Sequence, residues 1–195
     1  MAVLWPRGRA RLFRKTDPVT QDAIRPVSFA AYESDFEGFS RALGTSFADY
    51  GFAVIADHPL AQDGIEAALN SAKAFFALPE DAKRAYVVGV GGQRGYTPFG
   101  VETAKGEAHH DLKEFWHMGR DLPSGHRYAS VMPPNVWPTE TPEFVQTVSW
   151  LYDSLDAMGL KVLEALAVYL GLDRHFFDAT VDDGNSVLRL LHYPP

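Results

Sequence analysis

From Ser34 to Tyr50 the apolar side chains Phe36, Phe39, Leu43, Phe47 and Tyr50 recur at steps of three and four, the spacing that lays one stripe along an α-helix. Ser34 is the candidate N-cap and Gly51 the candidate terminator. The next apolar run, Phe52-Ala53-Val54-Ile55-Ala56, is too short for a helix and predicts a buried strand, closed by His58-Pro59. A second stripe of Ile65, Ala68, Leu69, Ala72, Phe75 and Phe76 predicts a helix over about 63–77, broken by Leu78-Pro79. Pro79 suits the first position of a further short helix, with Glu80 and Asp81 near its positive N-terminus. Thr141-Pro142-Glu143 opens the longest pattern, Phe144, Val148, Leu151, Leu155, Met158, Val162, Leu166, Tyr169 and Leu170, which runs to Gly171 and spans on the order of 40 Å if unbroken. Gly159 is the place for a bend. Val187 to Tyr193 is a second strand, closed by Pro194-Pro195.

Between these elements the periodicity fails. Gly89, Gly91, Gly92, Gly95 and Gly100 make 88–100 a loop or irregular strand, and most of 119–140 is expected as loop too. Arg25 to Phe29 is an extended entry segment, because Pro26 biases Arg25 away from helix. Before it, Arg7, Arg9, Arg11, Arg14 and Lys15 surround Trp5 and Phe13 with no apolar segment following, so 1–24 is expected as a solvated, flexible basic tail. The organisation predicted is therefore a tail (1–24), an N-terminal lobe (25–138), and a long helix with strand (139–195).

Composition narrows the function. Hydrophobic residues at 46% and charged residues at 22% of 195 are near the globular average, and no apolar stretch is long enough for a transmembrane helix. A net charge of −7 disfavours a nucleic-acid partner, which Lys and Arg would have to neutralise. With no cysteine, disulfides, thiolate metal sites and cysteine nucleophiles are excluded. A cytoplasmic location is the expectation. No phosphate-binding loop, nucleophile elbow or H-E-x-x-H string is present. His109-His110-Asp111 has H-x-D spacing, and His175 is the available distal partner. A small metallohydrolase site at His109, Asp111 and His175 stands against a polar, histidine-rich turn, and the turn is favoured because ligand spacing alone supplies neither convergence nor supporting partners.

Several strings occur together in order. Gly51-Phe52-Ala53-Val54-Ile55-Ala56-Asp57-His58 resembles a G-F-x-x-V-x-N-H-G segment, with Asp57 for Asn and Pro59 for Gly. Phe75-Phe76-Ala77-Leu78-Pro79-Glu80-Asp81-Ala82-Lys83 resembles F-F-x-L-P-x-E-x-K. Arg94-Gly95-Tyr96, Asp111-Leu112-Lys113-Glu114-Phe115, Asn135-Val136-Trp137-Pro138, and finally Leu188-Arg189-Leu190-Leu191-His192-Tyr193-Pro194-Pro195 are similar to R-G-Y, D-x-K-E-x-F, N-x-W-P and L-R-x-N-x-Y-P-P, with Leu191 for Asn. In this order they resemble the N-terminal portion of the isopenicillin N synthase-like, 2-oxoglutarate/Fe(II)-dependent oxygenases.

The resemblance implies an α+β chain. N-terminal helices and a long support helix flank the start of a double-stranded β-helix (jelly-roll) core that is incomplete within these residues. It implies Fe(II) and 2-oxoglutarate as cofactors of a complete enzyme that hydroxylates or desaturates a small molecule. The family's iron ligands, an H-x-D pair and a distal His, follow the Y-P-P strand, so within this chain no catalytic residue and no metal ligand is expected. Neither cofactor is expected to bind it tightly, and the chain alone is expected to be inactive. Tyr193 is the position implied on the 2-oxoglutarate side, and Arg94 and Tyr96 are those implied for substrate; core packing is the competing role for both tyrosines and a solvated loop for Arg94. Phe99 and Phe115 are further pocket or core aromatics. Asp111, Lys113 and Glu114 are expected in a loop ion pair or helix cap. Strand alternation turns His192 away from Leu191 and Tyr193, which are taken as inward. The alternative is a non-catalytic binding module that keeps only this lobe, and an unfinished sheet would favour self-association.

Overall fold

Asp35 rather than Ser34 starts the first long helix. In this computed structural model, which describes residues 24–88, 94–102 and 111–194, the Asp35 carboxylate accepts the Gly38 N–H at 2.9 Å and caps α2 (Phe36–Tyr50). Ser34 instead ends a separate turn, α1 (Ala31–Ser34), and its hydroxyl donates to the Ala30 carbonyl. A carboxylate outcompetes a hydroxyl at the positive end of a helix. Gly51 terminates α2 as expected, in the left-handed region at φ +80° with its N–H on the Phe47 carbonyl.

The segment after Gly51 departs from expectation. Only β2 (Ile55–Ala56) is strand, paired in parallel with β1 (Val27–Ser28). A two-stranded sheet packed on one side buries alternate residues, so Ala53 and Ile55 pack inward while Phe52 and Val54 stay exposed. α3 (Gln62–Phe76) and α4 (Glu80–Arg84) follow, with Pro79 at the N-cap of α4 rather than inside it.

The largest correction lies in 111–119. Glu114–Gly119 is a strand, β4, whose residues are buried throughout, at the centre of an antiparallel sheet with β3 (Gly95–Thr97) and β5 (Val187–His192) on its two edges. Glu114 therefore lies in neither a loop nor a helix cap. The register pairs Tyr96 with Trp116, Glu114 with His192 and His117 with Arg189. Asn135 closes the far end of β4, because its side-chain amide accepts from the Gly119 N–H and donates to the Gly119 carbonyl as a neighbouring strand would.

α5 (Glu143–Tyr169) is uninterrupted at Gly159 and forms the spine. Its N-terminal half, through Phe144, Val148, Leu151 and Tyr152, packs with α3 against the inner face of the sheet, around Phe75 and Trp116. Its C-terminal half brings Ala165 and Val162 to Phe29, Tyr32, Phe39 and Leu43. Two glycines permit this close packing: a Cβ on Gly44 would lie 2.0 Å from the Tyr169 ring, and one on Gly64 2.4 Å from Trp150. The short α6 (Asp178–Val181) leads into β5. The described residues are thus an α+β arrangement, and none of their helices is long and apolar enough to cross a membrane.

Candidate functional site

The two faces of the three-stranded sheet differ in chemistry. Alternation sends Glu114, Trp116, Met118, Leu188, Leu190 and His192 toward the helices, and Phe115, His117, Arg189 and Leu191 to the opposite, open face.

On the helix side a buried carboxylate collects partners from three other elements. Glu114 Oε2 accepts from Lys83 Nζ at 2.7 Å and from the Tyr96 hydroxyl, and Oε1 faces His192 Nδ1 at 2.7 Å. An ionised carboxylate can only accept, so Nδ1 of His192 carries the hydrogen. Lys83 Nζ also reaches the Phe76 carbonyl at 3.3 Å and Glu80 at 3.4 Å, and the His192 ring stacks on Phe76 with centroids 5.1 Å apart. Burial pushes the Glu114 carboxyl up, but the hydrogen bonds from Lys83, Tyr96 and His192 outweigh it and hold the group below its usual range. Burial, reinforced by the Glu114 hydrogen bond, pushes the Tyr96 phenol far above its ordinary value.

On the open face, Arg189 lies over the Phe115 ring, its guanidinium carbon 4.6 Å from the centroid. Its Nε donates to His117 Nε2 at 2.6 Å, and Nη1 lies 3.3 Å from Glu102 Oε1. Arginine has no acceptor, so His117 must present a lone pair at Nε2 and keep its hydrogen on Nδ1. Lys113 bridges Glu102 and Asp111, each at 2.8 Å; these hydrogen bonds raise the Lys113 ammonium, and the one from Lys113 lowers the Glu102 carboxyl. Leu191 continues the face and Tyr193 follows the end of β5, exposed to 47% and 64%. The cluster escapes sequence reasoning because Glu102, His117 and Arg189 share no motif. Only the register of β4 with β5, once β4 is known to be a strand, brings His117 and Arg189 together.

The residues singled out from sequence are distributed differently from one another. Arg94 is 2% exposed and packs against Gly119, where a Cβ would come within 2.2 Å of its guanidinium carbon; Nη2 points to the Arg120 carbonyl, and burial lowers its pKa. Tyr96 belongs to the Glu114 cluster, and Tyr193 stands beyond the opposite end of β4 from Arg94. The structure therefore does not bring Arg94 and Tyr193 together. His192 does face away from Leu191 and Tyr193, but it is His192 that points to the packed side. Phe99 is exposed and Phe115 buried. His109 and His110 lie outside the described residues. Asp111 pairs with Lys113, and His175 is exposed beside Asp178 at 2.9 Å. Among the described residues no group of three or more His, Asp or Glu side chains is placed to hold a metal ion.

A second carboxylate behaves like Glu114. Glu164 accepts from Tyr32 and Arg174, each at 2.6 Å, and these bonds outweigh burial to keep its pKa low. Both groups are depressed in the folded state. Their contribution to stability is therefore complete above the unfolded carboxylate pKa of about 4.3 and is lost as pH falls through the lower folded values. Thermal melts from pH 7 to pH 3 are expected to show a flat midpoint down to about pH 5 and a steep fall below it; a midpoint unchanged at pH 3 would show that neither carboxylate is coupled to folding.

Residues 25–140 match the family described as "non-haem dioxygenase in morphine synthesis N-terminal". The 2-oxoglutarate-dependent dioxygenase caaD of Aspergillus niger is 31% identical over 149 residues, which are 75% of this chain and 46% of that protein. A 2OG-Fe(II) oxygenase family protein of Caulobacter crescentus is similar at 65% identity with a TM-score of 0.83, over 89% of this chain and 57% of its own. A full-length Neurospora crassa protein, solved in complex with alpha-KG, is similar at 31% identity and TM-score 0.74, over 90% of this chain and 56% of its own. The chain spans about half the length of the curated relatives it matches. It belongs to the non-haem, 2-oxoglutarate-dependent dioxygenase family, whose N-terminal region residues 25–140 form.

Proposed function

We propose that the chain is the N-terminal part of a 2-oxoglutarate- and Fe(II)-dependent oxygenase that hydroxylates or desaturates a small molecule. The observation that carries this is the similarity at 65% identity and TM-score 0.83 to a 2OG-Fe(II) oxygenase family protein. On this reading β3, β4 and β5 begin a jelly-roll whose interior is the open face, and α5 supports it from behind. Iron and 2-oxoglutarate would then be held chiefly by the remainder of a full-length protein, a division supported by the chain spanning about half the length of its curated relatives.

The open face then supplies substrate and cosubstrate contacts. Arg189 is the substrate-facing cation: His117 and Glu102 fix its plane, and a planar guanidinium matches a carboxylate or a pair of carbonyl oxygens. Tyr193 offers its hydroxyl on the cosubstrate side. Arg94 and Tyr96, both buried, serve as framework beneath the pocket. The Neurospora crassa relative was solved with thymine and with 5-formyluracil, which supports a small, polar molecule as the ligand on this reading.

Succinate release from 2-oxoglutarate with added Fe(II) tests the proposal. The full-length gene product is expected to release succinate and residues 1–195 alone to release none; turnover by the 195-residue polypeptide would overturn the division of labour. A second reading, a non-catalytic binding module, draws on the exposed Val187, Leu191 and Tyr193, which a partner or a second copy would cover. It predicts a full-length product without turnover, and a 195-residue chain that associates in sedimentation.

A further inference from the structure

Four of the ordered sequence strings meet at one carboxylate. F-F-x-L-P-x-E-x-K contributes Lys83, R-G-Y contributes Tyr96, D-x-K-E-x-F contributes Glu114 itself, and the Y-P-P strand contributes His192. We propose that Glu114 is a positioning residue: by holding His192 it fixes the last rung of the β4–β5 ladder and with it the place of Tyr193 on the open face. This rests on reading the open face as the ligand side.

The geometry favours positioning over stability alone. A buried Lys-Glu pair is an inefficient stabiliser, since apolar groups of equal volume commonly serve as well or better. What the polar cluster supplies is direction. Glu114 and His192 are register partners at the end of the ladder, where strands fray. Tyr193 lies just beyond this rung and is largely exposed. His192 is restrained twice, by the flat stack on Phe76 with 21° between ring planes and by the 2.7 Å bond to Glu114. Glu114 is in turn held by Lys83 from α4 and Tyr96 from β3, so helix and sheet together set the end of β5.

The two restraints on His192 separate experimentally in the full-length gene product. His192→Asn places an amide N–H close to where Nδ1 donates and removes the ring; His192→Phe keeps a ring on Phe76 and removes the donor. Two quantities are read: hydrogen exchange of the backbone amides from Leu190 to Tyr193, and KM and kcat for 2-oxoglutarate. His192→Phe is expected to speed exchange at these amides and to raise the 2-oxoglutarate KM, each about tenfold, the effect of one lost hydrogen bond to a charged group, while kcat holds within about twofold. His192→Asn is expected to stay near wild type in both. If His192→Asn is impaired as much as His192→Phe, or His192→Phe leaves exchange unchanged, Glu114 does not position this strand end. If the wild type lacks turnover, the functional reading fails while the exchange comparison still decides the role of Glu114.

Discussion

Glu114→Ala is expected to lower folding stability by about 3–5 kcal/mol, the cost of stranding a buried charge by deleting its partner. The truncation leaves the Lys83 ammonium with the Phe76 carbonyl at 3.3 Å and the half-exposed Glu80 at 3.4 Å but no buried counter-charge. It leaves the Tyr96 hydroxyl only its longer bond to Glu80 at 3.3 Å, and removes the acceptor of His192 Nδ1. For a chain of this size the melting midpoint falls by on the order of 10 °C. Glu114→Gln is expected to lie between, because an amide oxygen still accepts from Tyr96 or His192 but carries no charge for Lys83. Adding Lys83→Met to Glu114→Gln is expected to recover much of the loss, since the ammonium that suffers is then gone. Urea denaturation of the four proteins checks the series. A Glu114→Ala cost below about 1 kcal/mol, as for an exposed ion pair, would show that water reaches the cluster.

The helices were legible because their apolar residues keep three- and four-residue spacing over several turns: α2, α3 and α5 fall within a few residues of the positions expected from Phe36, Ile65 and Phe144 onward. β4 was not legible, for a physical reason. Phe115, Trp116, His117 and Met118 are all buried, two against the helices and two beneath Arg189 and its neighbours, so the strand shows no alternation and its apolar run is broken by a histidine. With β4 hidden, the pairing of His117 with Arg189 was hidden too. Alternation did separate His192 from Leu191 and Tyr193, but it carries no information on which side is packed; helices α3 and α5 decide that, and they put His192 inside. Arg94 shows the same limit. An arginine among glycines reads as solvated, and the sequence does not show that Gly119 leaves room for its guanidinium beside the Arg120 carbonyl.

Trp116→Ala is the other substitution of large expected effect, again about 3–5 kcal/mol, but by a different route: it opens a cavity. Trp116 is wholly buried at the meeting of α3, α5 and the sheet, edge-on to Phe75 at 4.8 Å and to Phe144 at 5.1 Å between ring centroids. Those rings belong to helices already braced against each other, so the site has little freedom to collapse. Trp116→Phe is expected to cost far less than its lost volume suggests. The indole Nε1–H has no hydrogen-bond partner among the described residues, and an unsatisfied buried donor carries a penalty of about 1–3 kcal/mol that phenylalanine removes. Denaturant midpoints should therefore place Trp116→Phe near the wild type and Trp116→Ala far below it; equal losses would show that the indole N–H is satisfied after all. The functional consequence follows from the pleat. Phe115 and His117 flank Trp116 on the open face, so a cavity behind the strand removes the backing of the two residues that hold Arg189. Trp116→Ala is accordingly expected to raise substrate KM in the full-length product, as loss of fixed orientation does, while Trp116→Phe leaves it unchanged.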